Sequence, residues 1–344
     1  MTCQECEGCR AKGFAFCRCC GDRLEPLGQK PEIDYAGTFD KVVLASSILV
    51  AILILVEIAS VIVGLGKTFD SISDGMRLSI SIVLPTLIRL CYLSGTVLDI
   101  YWVLVLMAFL ASAAMVFWQS RRMFSIGDDH DSREYRNTPL FWIGMLFGSS
   151  IVIQLFMLLI MNSSDVVIET PNLPTDASGD AIIMYTNAGV WEEIACRMLL
   201  IGVPMLAIAL YKGYSHPFRY LLGGFGASKA SILLIVISSV IFSYGHVSGW
   251  GAFKFPLVMV GGLIMGWLYV RFGIHASILF HCTADLMTVA MSTVGLTSLL
   301  DFAIILLGFV CTVILAYTLF KSLGTLKDLP MIKEDQDSIF RRRD

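Results

Sequence analysis

The chain has 344 residues, of which 56% are hydrophobic and only 15% are charged, and its mean hydropathy is +0.75. A soluble domain carries roughly 25% charged residues, so this composition predicts a membrane protein and excludes an ordinary soluble enzyme. The formal net charge is −3, and no basic patch is interleaved with aromatic residues. Nucleic acid is therefore not expected as a partner.

The chain begins with a polar, cysteine-rich stretch, which we predict to be a zinc-ribbon-like head at 1–24 followed by a linker at 25–41. Two C-x-x-C pairs supply four thiolates for a tetrahedral structural zinc. These thiolates belong to Cys3, Cys6, Cys17 and Cys20. A register that pairs Cys6 with Cys9 is also open, and an unstructured head with scattered thiols is the alternative to a metal site.

Nine apolar segments follow, judged against the roughly 20 residues that a helix needs to cross a bilayer. They are 42–65, 76–98, 100–118, 139–161, 188–211, 229–246, 256–271, 274–294 and 299–320. The segment at 76–98 contains Arg77, Pro85 and Arg89, and we interpret it as an interfacial or re-entrant helix. The sequence therefore predicts an all-α, multi-pass transmembrane helical bundle of about eight spans with a small zinc-ribbon head.

The distribution of Lys and Arg between the segments predicts how the chain is oriented in the cell membrane. The head, two loops and the tail are basic, whereas the 162–187 loop has no Lys or Arg. No apolar signal segment precedes the head, so we expect both termini in the cytosol. We divide the rest of the chain into N-terminal transmembrane helices at 42–138, a core at 139–320 and a charged cytosolic tail at 321–344.

Ionisable residues at membrane depth are costly and mark functional sites, and the first such group opens the segment at 188–211. On a helix, Glu193 and Arg197 are four residues apart and can pair on one face. Glu192 then points about 100° away and can face a cavity. One carboxylate is thus neutralised and the other is available as a general base.

Two further groups occur on later apolar segments. His246 ends the sequence Phe-Ser-Tyr-Gly-His, and His281 precedes Asp285 by four residues. The second spacing places an imidazole and a carboxylate on one helix face, so Asp285 is expected to orient the His281 ring. Glu57 and Asp99 are further charges in apolar stretches, and the sequence suggests no role for either.

The three motifs, E-E-x-x-x-R, F-x-x-x-H and H-x-x-x-[N/D], occur in this order on apolar segments. Over residues 139–320 the chain thereby resembles the CPBP (Abi) family of intramembrane proteases, which includes CAAX prenyl endopeptidases. The resemblance implies that Glu192 activates water beside His246. It also implies that the pair Glu193–Arg197 holds its helix in place. His281 and Asp285 would complete the site through metal coordination or oxyanion stabilisation.

The predicted function is hydrolysis of a peptide bond in a membrane-associated protein or peptide, and a CAAX-type prenylated tail is one candidate substrate. Glu192, His246 and His281 are also a donor set for a catalytic zinc, and metal-assisted and metal-free hydrolysis both remain open. Two other functions are alternatives. One is a proton-coupled transporter that would use the same buried charges, and the other is a non-catalytic scaffold or immunity-type protein, in which Glu192 and His246 would not converge.

Overall fold

A computed structural model describes most of the chain and places its helices in one bundle. The described residues are 6–11, 17, 35–83, 87–124, 132–164, 166, 168, 178–214, 216–294, 297–324 and 326–332. Cys3 and Cys20, two of the four predicted zinc ligands of the head, lie outside these ranges. The zinc ribbon therefore stays a prediction.

Helices dominate the described residues. The α-helices are α1 (Cys6–Ala11), α2 (Tyr35–Val63), α3 (Leu65–Ser73), α4 (Gly95–Gln119), α5 (Pro139–Ser163), α6 (Gly179–Glu193), α7 (Val203–Tyr211), α8 (Arg219–Leu222), α9 (Lys229–Trp250), α10 (Lys254–Phe272), α11 (Ile274–Val294) and α12 (Thr297–Leu323). A π-helix at Ile194–Gly202 joins α6 to α7. Short 3₁₀ turns lie at Arg121–Phe124, Ser132–Asn137 and Leu326–Asp328, and two strands, β1 (Arg77–Val83) and β2 (Leu87–Ser94), complete the elements.

The predicted all-α membrane bundle is confirmed. Seven helical stretches among the described residues are long and apolar enough to cross a membrane. A helix satisfies its own backbone hydrogen bonds, which is what allows it to lie in lipid. In addition, α11 packs against α2, α4, α6 and α10, with the stretch 276–283 fully buried. The chain is therefore a multi-pass membrane protein with α11 at the centre of its bundle.

The prediction of an interfacial or re-entrant helix at 76–98 is wrong, because β1 and β2 form an antiparallel hairpin there. The reason is visible in β1, where Leu78 and Ile80 are buried and the intervening Ser79 and Ser81 are partly exposed. A burial pattern with a period of two belongs to a strand with one face on a core. The arginines that weakened the segment as a membrane span are compatible with this hairpin.

The helix that carries the first motif begins at Gly179, earlier than the predicted start at 188, and continues through the π-helix to Tyr211, a stretch of 33 residues. Glu192 is therefore near the middle of its span instead of near its beginning. Gly189 allows α6 to approach α11 closely, because a Cβ there would meet the backbone nitrogen of Cys282 at 2.8 Å. This close approach brings the first and third motifs together at mid-depth.

Candidate active site

The polar side chains of the three motifs converge in one place. The Glu192 Oε2 atom lies 3.8 Å from His246 Nε2 and 3.8 Å from His281 Nε2. His281 Nε2 is also 3.5 Å from Asp285 Oδ2. Residues from α6, α9 and α11 thus meet, and the Glu192 and Asp285 side chains remain 33% and 31% exposed. The two carboxylate side chains are therefore partly accessible, although the Glu192 Oε2 atom itself is buried.

Glu193 is the buried partner of this group. Its Oε2 atom lies 3.3 Å from Arg197 Nε, and both side chains are fully buried. The ion pair expected from their spacing is therefore present. Glu193 also accepts hydrogen bonds from the Ser277 hydroxyl and, at 2.9 Å, from His281 Nδ1. A carboxylate that faces a guanidinium and two donors can remain charged inside a membrane bundle.

The ring of His281 is oriented differently from the prediction. We expected Asp285 to fix it, but His281 Nδ1 donates its hydrogen bond to Glu193 on α6. Asp285 instead faces Nε2 from 3.5 Å, an ion-pair distance that is too long for a hydrogen bond. The i to i+4 spacing does place Asp285 on the correct face. The contact with Glu193 is shorter and determines which nitrogen points into the cavity.

Both histidines present the same nitrogen to Glu192. His246 Nδ1 lies 2.9 Å from the Phe242 carbonyl oxygen, which can only accept, so Nδ1 carries a proton. His281 Nδ1 donates to Glu193, which is an anion because it faces Arg197. Each Nε2 is therefore a lone-pair acceptor in a neutral ring and a donor in a protonated one. The fixed tautomers aim two equivalent nitrogen atoms at one carboxylate oxygen.

A π-helix begins directly after the two glutamates, at Ile194, and contains Arg197. Such segments are rare and are found mostly at functional sites. Here the buried guanidinium of Arg197 lies 4.6 Å from the centre of the Phe242 ring, a cation–π distance. Since Phe242 also supplies the carbonyl that orients His246, Arg197 connects the Glu193 network on α6 with the histidine on α9.

The hairpin contacts the residues that precede Glu192 and His246. Trp191 Nε1 donates a 2.7 Å hydrogen bond to the Ser81 carbonyl oxygen of β1. A Cβ on Gly245 would lie 2.6 Å from the Val83 side chain, so the strand rests directly on α9. The hairpin is therefore a wall of the site and holds both neighbouring helices in place.

An apolar cavity of about 210 Å³ lies between the hairpin and the π-helix that follows Glu193. The hairpin contributes Ile82 and Leu90, and the helix side includes Trp191, Ala195 and Met198. Trp191 lines this cavity and Glu192 follows it in sequence, but the Glu192 carboxylate is not part of the lining. An apolar cavity of this kind suits the apolar part of a ligand.

The catalytic zinc stays a prediction. In the part of the chain that the structure describes, no group of three or more His, Cys, Asp or Glu side chains is arranged to hold a metal ion. The chemistry of the donors suits one, because two imidazole Nε2 atoms face the carboxylate of Glu192 and imidazole and carboxylate are common zinc ligands.

Two contributors to the site were missed by sequence reasoning. Ser277 precedes His281 by four residues, so the helical spacing that singled out Asp285 would have placed this hydroxyl on the same face. The contact of Trp191 with the hairpin had no sequence signal, because it depends on a backbone carbonyl from a distant strand.

Comparison with known proteins shows which family the part of the chain that carries the site is similar to. Residues 175–287 match the family described as Type II CAAX prenyl endopeptidase Rce1-like. The matched stretch contains all three motifs, and it confirms the resemblance to CPBP proteases that they predicted. It also supports a membrane-embedded protease activity. No curated protein and no solved structure matches the chain.

Proposed function

We propose, on the premise that residues 175–287 belong to the CPBP (Abi) family, that this chain is an intramembrane endopeptidase with Glu192 as its general base. One observation carries the proposal. Glu192 Oε2 lies 3.8 Å from the Nε2 atoms of both His246 and His281. These separations are too long for direct hydrogen bonds but allow one water molecule to contact both members of each pair.

The reaction that fits these positions is addition of water to a peptide carbonyl. Glu192 accepts a proton from the water while the water oxygen forms a bond to the carbonyl carbon. The carbonyl oxygen is then left with a negative charge. The carbon–nitrogen bond then breaks, and the proton passes from Glu192 to the leaving nitrogen. Glu193 does not take part directly, because Arg197, Ser277 and His281 occupy its oxygens; it is a positioning residue for His281.

The Nε2 atoms have two possible uses in this reaction. A protonated histidine would donate a hydrogen bond to the developing oxyanion. Neutral His246 and His281, with Glu192, would instead hold a zinc ion, which would act as a Lewis acid on the carbonyl. Asp285 faces Nε2 of His281 and, as an anion, would stabilise the protonated form of that ring. The base role of Glu192 described above belongs to the metal-free use, because a carboxylate bound to zinc is not free to accept the proton of the attacking water.

The substrate that we propose is a membrane-associated peptide with an apolar or lipidated segment, as in CAAX-type tails. The apolar cavity beside Trp191 would bind this segment while the peptide bond lies at Glu192. A purified wild-type protein should release the C-terminal fragment from a prenylated CAAX peptide, detected by mass spectrometry. No release from this peptide or from a pool of other membrane peptides would count against hydrolysis and favour the scaffold alternative.

Filling the cavity should weaken substrate binding selectively. Ala195→Leu adds three carbon atoms to the lining, so we expect KM for a lipidated peptide to rise about tenfold, equivalent to about 1.4 kcal/mol of binding free energy, with kcat within twofold. Steady-state kinetics in detergent test this. Ala207→Leu is the matched control, because Ala207 is exposed on α7. An equal rise in KM for both variants would contradict a binding role for the cavity.

We also propose that the head binds one structural zinc through two C-x-x-C pairs. Cys6 and Cys17, one from each pair, are both buried, and the predicted cytosolic position of the head keeps thiols reduced. At least one zinc per chain should be found by elemental analysis, and Cys17→Ser should lower the zinc content by about one ion per chain while leaving cleavage measurable. Cys91→Ser, at an exposed cysteine of β2, should leave the zinc content unchanged. A zinc content that Cys17→Ser does not lower would rule out this ligand set.

A further inference from the structure

Glu57 on α2 is a buried acid for which the reaction described above has no use. Its side chain is 0% exposed, and neither carboxyl oxygen has a hydrogen-bond partner among the described residues. Burying a polar group without a partner costs free energy, and the cost is greater inside lipid. An apolar residue of similar shape would stabilise the bundle more, so the position has a polar side chain at the expense of stability.

The polar group that Glu57 faces belongs to the helix of the site. α2, which carries Glu57, packs against α11, and the Thr283 hydroxyl and the Asp285 carboxylate are the groups of α11 that interact electrostatically with the Glu57 carboxyl. Thr283 is also buried, and its hydroxyl has no hydrogen-bond partner among the described residues. The two groups are complementary, because a hydroxyl can donate to a carboxyl oxygen after a small side-chain rotation or through one water molecule.

The position of Thr283 gives this contact its significance. Thr283 lies midway between His281 and Asp285, on the opposite side of α11 from their shared face. The other side of this part of α11 is held by Glu193, which binds His281 Nδ1. A polar contact at Thr283 would therefore fix the rotation of α11 and its position along the bundle axis from the α2 side. Glu193 fixes both from the α6 side.

We infer that Glu57 is a positioning residue of the active site, which acts through Thr283 to hold α11 at the register that brings His281 and Asp285 to Glu192. The inference rests on the proposed hydrolysis. It goes beyond the motifs, because Glu57 lies on α2, outside the family match at 175–287. It also explains why an unfavourable buried acid is present next to this segment of α11.

The test compares Glu57→Met, which is apolar and similar in shape, with Glu57→Gln, which keeps a hydrogen-bonding group. We expect Glu57→Met to raise Tm, because an unpartnered polar group is removed, but to lower kcat at least tenfold with KM within twofold. Glu57→Gln should keep at least half of the wild-type kcat. Ser60→Ala is the control on the same helix, since the Ser60 hydroxyl donates to the Val56 carbonyl oxygen of α2 itself. The kcat of Ser60→Ala should equal that of the wild type.

A double-mutant cycle with Thr283→Val shows whether the two residues act together. The combined variant should lose no more kcat than Glu57→Met alone, and the two Tm changes should not add. Unchanged kcat in Glu57→Met would overturn the inference and leave the proposed function intact, provided that Glu192→Gln remains inactive. If the wild type cleaves no peptide, the proposed hydrolysis itself fails. Additive Tm changes in the cycle would show that Glu57 and Thr283 do not interact, which would also overturn the inference.

Discussion

Glu192→Gln is expected to lower kcat by about 10²–10⁴-fold, the range that a positioned general base contributes. The amide keeps the size and hydrogen-bonding capacity of the side chain but cannot accept the proton of the attacking water. Because Glu192 is about one-third exposed and has no buried ion-pair partner comparable to Arg197, the exchange should leave Tm and substrate binding nearly unchanged. Single-turnover cleavage of a lipidated peptide in detergent would measure the effect on chemistry alone.

The matched control for this variant is Asp180→Asn on the same helix. Asp180 is exposed in the first turn of α6, well away from the histidines. The activity of Asp180→Asn should therefore equal that of the wild type. A Glu192→Gln protein that is folded and cleaves at more than about a tenth of the wild-type rate would contradict the assignment of Glu192 as the base. Hydrolysis would then require another carboxylate of the site, and Asp285 is the candidate because it is 31% exposed and faces His281 Nε2, whereas Glu193 is buried against Arg197.

Arg197→Met is expected to lower the free energy of unfolding by about 3–5 kcal/mol, the usual cost of removing one partner from a buried ion pair. Arg197 and Glu193 are both fully buried, so no solvent can replace the guanidinium. The remaining carboxylate would be left with the donors Ser277 and His281 alone. Unfolding in a denaturing detergent, followed by circular dichroism, would measure the loss, and cleavage should fall with it because Glu193 orients His281.

A second ion pair in the chain provides the comparison. Arg136 binds Asp40 through two hydrogen bonds; the Asp40 side chain is only 5% exposed but that of Arg136 is 43% exposed, so water can replace the guanidinium and Arg136→Met should cost less. The double variant Glu193→Gln/Arg197→Met should recover part of the stability, since it removes the uncompensated charge, but not the cleavage. Equal losses for Arg136→Met and Arg197→Met would show that burial is not what makes the Glu193–Arg197 pair important.

Local spacing predicted a large part of the candidate site. The separation of Glu193 and Arg197 by four residues was sufficient to predict their ion pair, because a helix places such residues on one face. The same rule correctly left Glu192 on another face, where it now meets His246 and His281. It could not predict that Glu193 would also bind His281, since these residues are 88 positions apart and meet only through the packing of α6 on α11.

The sequence by itself determined that this is a helical membrane protein and which ionisable residues interrupt its apolar segments, because length, hydropathy and helical spacing are properties of single segments. Only the tertiary structure decided which of those residues meet. It placed Glu193, and not Asp285, at His281 Nδ1, turned the stretch at 76–98 into a hairpin against Trp191, and packed α2, which carries Glu57, against α11. The physical reason is that these contacts depend on how separate helices approach one another, which small residues such as Gly189 permit.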